Sequence, residues 1–276
     1  MSKKDSAEKT EGTALTVADA AQLPAEFLGM LEEDAGKGVS TSPDEVGIPF
    51  LYILQDMSPQ VKKRDPQYVE GAEVGDIYNN VTREVIPASV GIEFIACGFE
   101  AAQVEWKPNR GGFAGKHPHD TPLLAQKKPK QEGDKVVMVI DNGNILTETK
   151  YHYGFFRRRG SQDRWEMCVI GMASSMIKNS RELEGMKRRT YLPSGKVAPA
   201  FSRIYNFSTK LVSKDGKDWF VWEIAQDRWV NGEEYAAGKA FAESIERDGV
   251  KTATPGDETA AGGAGDGGGG EDETVL

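Results

Sequence analysis

Residues 151–160, YHYGFFRRRG, combine aromatic rings at alternate positions with three consecutive arginines. The rings are those of Tyr151, Tyr153 and Phe155, and the arginines are Arg157, Arg158 and Arg159. Alternate side chains of a strand lie on one face, so the three rings would form a row. A row of rings edged by cations stacks on unpaired bases and follows their phosphates. The alternative is that the rings fill a barrel core and the arginines form a solvated turn.

A second strand and a helix extend this pattern. The strand candidates are Arg203, Tyr205, Phe207 and Lys210, of which the first three alternate on one face. Residues 173–189 have a helical period that places Met176 and Leu183 on one arc and cations on the opposite side. The basic candidates of this helix are Lys178, Arg181, Arg188 and Arg189. Rings alone are explained by a core, but rings together with clustered cations favour a nucleic-acid surface.

Residues 106–116, WKPNRGGFAGK, mix rings and cations in a glycine-rich stretch. Its candidates are Trp106, Lys107, Arg110, Phe113 and Lys116. We predict that residues 108–134 form one polar loop, because the stretch contains several prolines and no sustained apolar period. Such a loop closes over a bound strand; the alternative is an ordinary solvated loop.

The charge of the chain is divided unevenly. The net charge is −9, yet residues 151–210 hold twelve Lys and Arg against four Asp and Glu. Residues 1–45 carry four Lys against ten acids, and residues 251–276 carry one Lys against six. Because the cations concentrate around the aromatic strands, the negative total does not exclude a polyanionic partner.

Catalytic patterns are weaker. Asp141, Glu148 and Lys150 follow the D…ExK order in which metal-dependent nucleases hold Mg²⁺, although Asp141 also borders a tight turn. His117 and His119 on a polar segment are read as solvated rather than as metal ligands. The sequence contains no Walker loop and no GxSxG elbow. We therefore predict no catalytic residue, no metal and no cofactor.

The elements that position these residues are mostly strands, because the apolar period is close to two. Asn142-Gly143 and Asp215-Gly216 predict two tight hairpins. A terminal helix is predicted to bury Ala237, Phe241 and Ile245. The fold class is therefore mainly β with a few helices: an antiparallel barrel like the oligonucleotide-binding (OB) fold, with one inserted and one C-terminal helix.

We predict three regions along the chain. Residues 1–45 form an acidic, largely disordered segment, residues 46–250 form the OB-like domain, and residues 251–276 form a disordered, glycine-rich acidic tail. The absence of an apolar span or a secretion signal favours a soluble intracellular protein without a membrane partner. Cys97 and Cys168 are far apart and are expected to be buried thiols.

The sequence resembles the single-stranded DNA-binding proteins of tailed bacteriophages, an OB-fold family. The resemblance covers residues 46–250 and the tail, through GIPFLYILQDMSPQV, GAEVGDIYNNVTREV, SSMIKNSREL and FSRIYNFSTKLVSKDGKDWFVWEI. It implies a protein of the host cytoplasm that coats unwound DNA in replication or recombination, with the residues above lining the groove. It also implies that the tail recruits replication or recombination proteins. The negative charge of the tail separately predicts that it occupies the cationic groove until nucleic acid displaces it; the alternative is a tail that only increases solubility. The tail candidates are Glu271, Asp272, Glu273 and Leu276.

Three other interpretations remain at this point: a strand-annealing recombinase, a D…ExK nuclease, and a phage accessory protein without a nucleic-acid partner. Tails of this kind often end in an aromatic residue, whereas this sequence ends in Val275 and Leu276, which argues against docking of the last residue in a partner pocket. The sequence decides neither homo-oligomerisation, nor the choice between DNA and RNA, nor which face of each aromatic strand is outward.

Overall fold

The computed structural model describes residues 47–108, 111–132, 135–214 and 216–248, and isolated positions between 24 and 37. The chain divides into two units, residues 1–46 and residues 47–276. In the first unit, residues 29–31 are helical, and Lys37 forms an ion pair with Asp34. The predictions of disorder for residues 1–45 and 251–276 and the tail candidates lie outside the described residues.

The second unit is mainly β, as the sequence predicts. Its strands are β1 (Phe50–Ile53), β2 (Ile77–Asn79), β3 (Val85–Ile86), β4 (Ile92–Trp106), β5 (Phe113–Pro118), β6 (Lys128–Glu132), β7 (Lys135–Val139), β8 (Ile145–Arg158), β9 (Glu166–Ala173), β10 (Arg203–Lys214) and β11 (Lys217–Trp229). Its α-helices are α1 (Ile177–Arg188) and α2 (Gly232–Asp248). Among the described residues, no helix is long and apolar enough to cross a membrane.

The strands form one curled sheet in the order β11-β10-β4-β8-β9-β1-β2-β3. Strand β5 pairs with β4, and the β6–β7 hairpin joins β8 through Val139 and Ile145. The expectation of a wholly antiparallel sheet is wrong, because β1 pairs in parallel with β9. A parallel pair needs a long connection, and here the intervening chain supplies seven other strands.

Both predicted hairpins are present. Lys214 pairs with Lys217, which leaves a two-residue turn between β10 and β11. At the other hairpin, Gly143 has a positive φ and its amide donates to the carbonyl of Ile140. The predicted polar loop is corrected: residues 108–134 contain β5, β6 and a short 3-10 turn from Pro122 to Gln126. The prolines and glycines of this stretch lie within and between short strands and do not prevent them from forming.

Strands β4 and β8 run together along nearly their whole length and serve two hydrophobic cores. One core centres on Phe94, Phe207 and Trp222, whose rings meet edge to face. The other lies on the opposite face and contains Tyr151 and Tyr153. A β-bulge between Ala96 and Gly98 shifts the register and changes the direction of the sheet.

Gly154 pairs with Ala96 beside this bulge, and β4 leaves no room there for a side chain. A Cβ atom at this position would lie 2.1 Å from the carbonyl oxygen of Ile95 and 2.6 Å from the Phe94 ring. Backbone cannot move aside as a flexible side chain can, so only glycine fits here.

The edge of β11 is closed by side chains. The Gln55 amide donates to the carbonyl oxygen of Phe220 at 2.8 Å and accepts from its backbone N–H at 2.9 Å. Asn179 of α1 donates to the carbonyl oxygen of Trp222 at 2.6 Å. These bonds satisfy polar groups that an edge strand otherwise leaves unpaired.

The two helices cover different parts of the sheet. Helix α1 buries Leu183 in the first core, after a 3-10 turn from Ser174 to Met176 that makes it start later than predicted. Helix α2 starts at a reciprocal cap, in which Asn231 Oδ1 accepts from the Glu234 N–H and the Glu234 carboxylate accepts from the Asn231 N–H. Phe241 is buried as predicted, but Ala237 is exposed.

We expect Gly154→Ala to destabilise the fold by about 3 kcal/mol or more, because the added Cβ meets backbone. The matched control is Gly171→Ala in β9, where the nearest atom would be 3.4 Å away in the Tyr151 ring; this variant should stay within about 1 kcal/mol of wild type. Urea unfolding measures both. Equal stability of the two variants would contradict the role given to Gly154.

Candidate nucleic-acid interface

The rings predicted to stack on bases lie in the interior. Tyr151 and Tyr153 belong to one core, and Tyr205 and Phe207 belong to the other; all four are at most 4% exposed. Both faces of the sheet are covered, so neither face of β8 or β10 presents this row to solvent. The prediction that these four rings stack on bases is therefore wrong. The alternative given above, that the rings fill the core, is the one that the structure shows.

Phe155 and Arg157 are also part of the packing. The Phe155 ring lies 5.2 Å from the Phe241 ring of α2. The Arg157 guanidinium pairs with Glu93 at 2.7 Å and lies 4.5 Å from the centroid of the Trp165 ring. Because Arg157 is mostly buried and fully engaged, it holds β8, β4 and the following loop together.

The other two arginines of the row face outward. Arg158 Nε donates to Glu84 at 2.8 Å, and both Arg158 and Arg159 are exposed. They remain candidate phosphate contacts. The exposed row of rings that the sequence predicts beside them is buried.

The candidates in residues 106–116 are divided. Trp106 and Phe113 are half-buried and pack edge to face at 5.7 Å across β4 and β5. Lys116 pairs with Glu100 at 2.7 Å and lies over the Tyr151 ring at 4.9 Å. Lys107 is exposed, and Arg110 lies outside the described residues. This segment is therefore mainly a sheet edge.

Helix α1 presents cations to solvent as its period predicts. Its exposed basic residues are Lys178, Arg181, Arg188 and Arg189. The opposite side is anchored, since Ser180 Oγ lies 2.8 Å from Nε2 of the buried His152. Lys187 belongs to this inner side, where it pairs with Glu184 and lies 5.8 Å from the Phe99 ring.

The last two residues of α1 and the segment that follows the helix contain further cations. Residues 187–203 contain five Lys and Arg and no Asp or Glu. They form a small hairpin through the Tyr191–Val197 bridge, with Gly195 at a positive φ. Tyr191 is 58% exposed. Sequence reasoning missed Tyr191 because it lies outside any alternating pattern; its position two residues after the Arg188–Arg189 pair was the available signal.

Arg203 lies at the far side of this segment. Its guanidinium covers the Trp229 ring at 4.4 Å, and Trp229 is 45% exposed. With the Gln226 amide in the orientation that satisfies both of its polar atoms, its oxygen accepts from Arg203 Nε at 2.7 Å and from Thr190 Oγ1 at 3.1 Å. These bonds connect β10 and β11 to the end of α1. Trp229 was also missed by sequence reasoning.

Lys210, the remaining candidate, is exposed on β10 and lies 3.7 Å from Glu223. The interface that the structure assembles consists of the outer face of α1, the 187–203 segment and the Arg203–Trp229 pair. We call it the basic surface.

Asp141 of the D…ExK pattern has a different partner from Glu148 and Lys150. Asp141 pairs with Lys128 at 2.9 Å, whereas Glu148 lies 3.7 Å from Lys150 and 3.6 Å from His119. Within the described ranges, no three His, Cys, Asp or Glu side chains are placed to hold a metal ion. His117 instead lies 2.7 Å from Glu105, and amide donors from Asn144 and Asn142 lower the pKa of that carboxyl.

A family model described as Pam3 phage gp34-like protein matches residues 17–251. No curated protein and no solved structure matches the chain.

The anchor beneath the basic surface gives a pH prediction. Burial, assisted by the charges of Lys187 and Lys150, lowers the pKa of His152 to about 3. Between that value and the ordinary pKa of about 6.5, the unfolded chain binds a proton that the folded chain does not, so stability falls as the pH decreases. His152→Gln should reduce this loss between neutral pH and pH ~5 by about 1–2 kcal/mol in urea unfolding.

The control is His119→Gln, which changes a solvent-exposed histidine and should keep the wild-type pH dependence. A His152→Gln variant whose stability falls with pH as steeply as that of wild type would show that His152 is not the group responsible.

Proposed function

We propose that this chain, which belongs to the Pam3 phage gp34-like protein family, binds single-stranded DNA through the basic surface. In this proposal it is a non-enzymatic protein of the infected host cytoplasm that coats and protects unwound strands in phage replication or recombination. Its contacts are mainly to the phosphate backbone, so sequence preference is small.

The observation that carries the proposal is a continuous set of exposed cations in a chain of net charge −9. The outer face of α1 contributes Lys178, Arg181 and Arg188, and Arg189, Lys196 and the half-buried Arg203 follow within a segment that contains no acid. An ordinary solvated surface of an acidic protein carries both signs of charge in similar numbers. Over α1 and the adjoining hairpin, exposed cations outnumber the one exposed acid, Glu182, by five to one. Such an excess of positive charge is the electrostatic pattern of a polyanion-binding surface.

Exposed rings favour a single strand over a duplex. Tyr191 projects from the hairpin between Arg189 and Lys196. A phenol ring in this position can stack on an unpaired base while the neighbouring cations contact phosphates. The proposed stacking residues therefore differ from those that the sequence suggested, since Tyr151, Tyr153, Tyr205 and Phe207 are buried.

We also propose that the curled sheet is a variant of the OB barrel. Its mainly antiparallel strands and the helix packed beside one core support this assignment. The acidic tail, with its six acids in residues 251–276, would compete with DNA for the basic surface and be released to recruit replication or recombination proteins.

We expect Arg188→Ala/Arg189→Ala to weaken binding to oligo-dT by about tenfold at low salt, because two phosphate contacts are lost. The slope of log K against log salt should decrease by about 1.4, since each contact to a single strand contributes about 0.7. Fluorescence anisotropy of labelled oligo-dT with the full chain measures both quantities.

The matched control is Lys63→Ala/Arg64→Ala, which removes an adjacent pair of exposed cations from the loop between β1 and β2. It should keep wild-type affinity and salt slope. Equal losses in the two variants would mean that binding follows net charge and has no dedicated surface. Absence of wild-type binding at low salt would refute the proposed function.

A further inference from the structure

We infer that the exposed ring of Trp229, supported by Arg203 and Gln226, is a binding site for an unpaired nucleobase. This inference deepens the proposed function and rests on it, since the ligand is part of a single nucleic-acid strand. According to this inference, Trp229 distinguishes single strands from duplexes. The cations of the basic surface attract the phosphates of both.

Trp229 differs from every other tryptophan of the chain. Trp222 is 1% exposed, and Trp106, Trp165 and Trp219 are half-buried against the two cores. Trp229 is 45% exposed at the end of β11. An indole ring is large and mainly apolar, so an exposed one lacks the stabilisation that burial gives to the other four.

The ring is held in place from one side. The Arg203 guanidinium lies 4.4 Å from its centroid, an arrangement that attracts through the ring quadrupole. Gln226 accepts from Nε and Nη2 of Arg203, at 2.7 and 3.0 Å, and so orients the guanidinium plane. A ring with one supported face and an exposed area is preorganised for a second flat partner, which reduces the ordering required on binding.

A strand irregularity creates this geometry. Arg203 pairs with Trp229 and Tyr205 pairs with Gln226, so one residue of β10 faces two residues of β11 between these pairs. The extra residue places Gln226 and Trp229 on the same side of the strand, where regular alternation would separate them. Bulges of this kind redirect side chains at sheet edges, often beside binding sites.

The surroundings identify the flat partner as a nucleobase. Thr190, which also contacts Gln226, joins Trp229 and its two supporting residues to the acid-free 187–203 segment, whose exposed cations are Arg188, Arg189 and Lys196. A ligand that stacks on Trp229 therefore lies close to groups that attract phosphate. A duplex keeps its base faces stacked inside, whereas a single strand can place a base on the ring.

The test uses Trp229→Ala in the full chain with three probes: oligo-dT, an abasic strand of the same length, and duplex DNA. We expect affinity for oligo-dT to fall about 5- to 150-fold, the range of one base–aromatic stack. Affinity for the abasic strand should change by less than about twofold and the salt slope should stay constant, because phosphate contacts remain. The preference for single strands over duplex should shrink by the same factor as the oligo-dT affinity.

A second pair of variants covers the case in which Trp229→Ala is poorly folded. Trp229→Phe keeps a ring and removes the exposed indole, and Trp106→Phe makes the same replacement at a half-buried position. On titration with oligo-dT, the quenching of tryptophan fluorescence should be largely lost in Trp229→Phe and kept in Trp106→Phe.

The outcomes separate this inference from the proposed function. If wild type binds oligo-dT with a steep salt dependence but Trp229→Phe is quenched like wild type, the inference is wrong and the proposed function stands. The same holds if Trp229→Ala weakens binding to the abasic strand as much as binding to oligo-dT. If wild type binds neither strand at low salt, both are wrong.

Discussion

The contact between β4 and β8 at Gly154 determines how the rest of the chain is arranged. The two strands approach so closely there that a single Cβ would overlap the carbonyl oxygen of Ile95. With the adjacent bulge, this contact lets one pair of long strands change direction and serve both cores. Strands β5, β7, β9 and β10 pair directly with β4 or β8, and the remaining strands extend the sheet outward from these four, so β4 and β8 form its centre.

The same arrangement decides which groups remain available for a ligand. Because both faces of the sheet are covered, the rings of β8 and β10 are packed in the cores. Arg157 is engaged by its contacts with Glu93 and Trp165. Helix α1 lies over one core and is held by His152, so Lys178, Arg181 and Arg188 point outward, whereas Lys187 lies on the inner side. Functional side chains consequently concentrate at the margin of the sheet, where α1 ends and β10 and β11 are irregular.

Much of the fold follows from local patterns in the sequence. The Asn142-Gly143 and Asp215-Gly216 turns and the period of α1 were predictable because each depends on neighbouring residues. The aromatic face of β8 was not, since Tyr153 on one side and Phe156 on the other are both buried, in different cores. The partner of Arg157 lies 64 residues away in the chain. Tyr191 and Trp229 escaped prediction because a single exposed ring leaves no periodic signal.

Hydrogen–deuterium exchange of the full chain, with and without oligo-dT, tests the central claim most directly, because backbone amides report where a strand is bound. The account predicts slower exchange in residues 188–198 and 226–230, with little change in residues 151–157, which are already in a paired strand of the interior. Protection confined to β8 or to residues 106–118, with none around Tyr191 and Trp229, would contradict the assignment of the basic surface as the binding site.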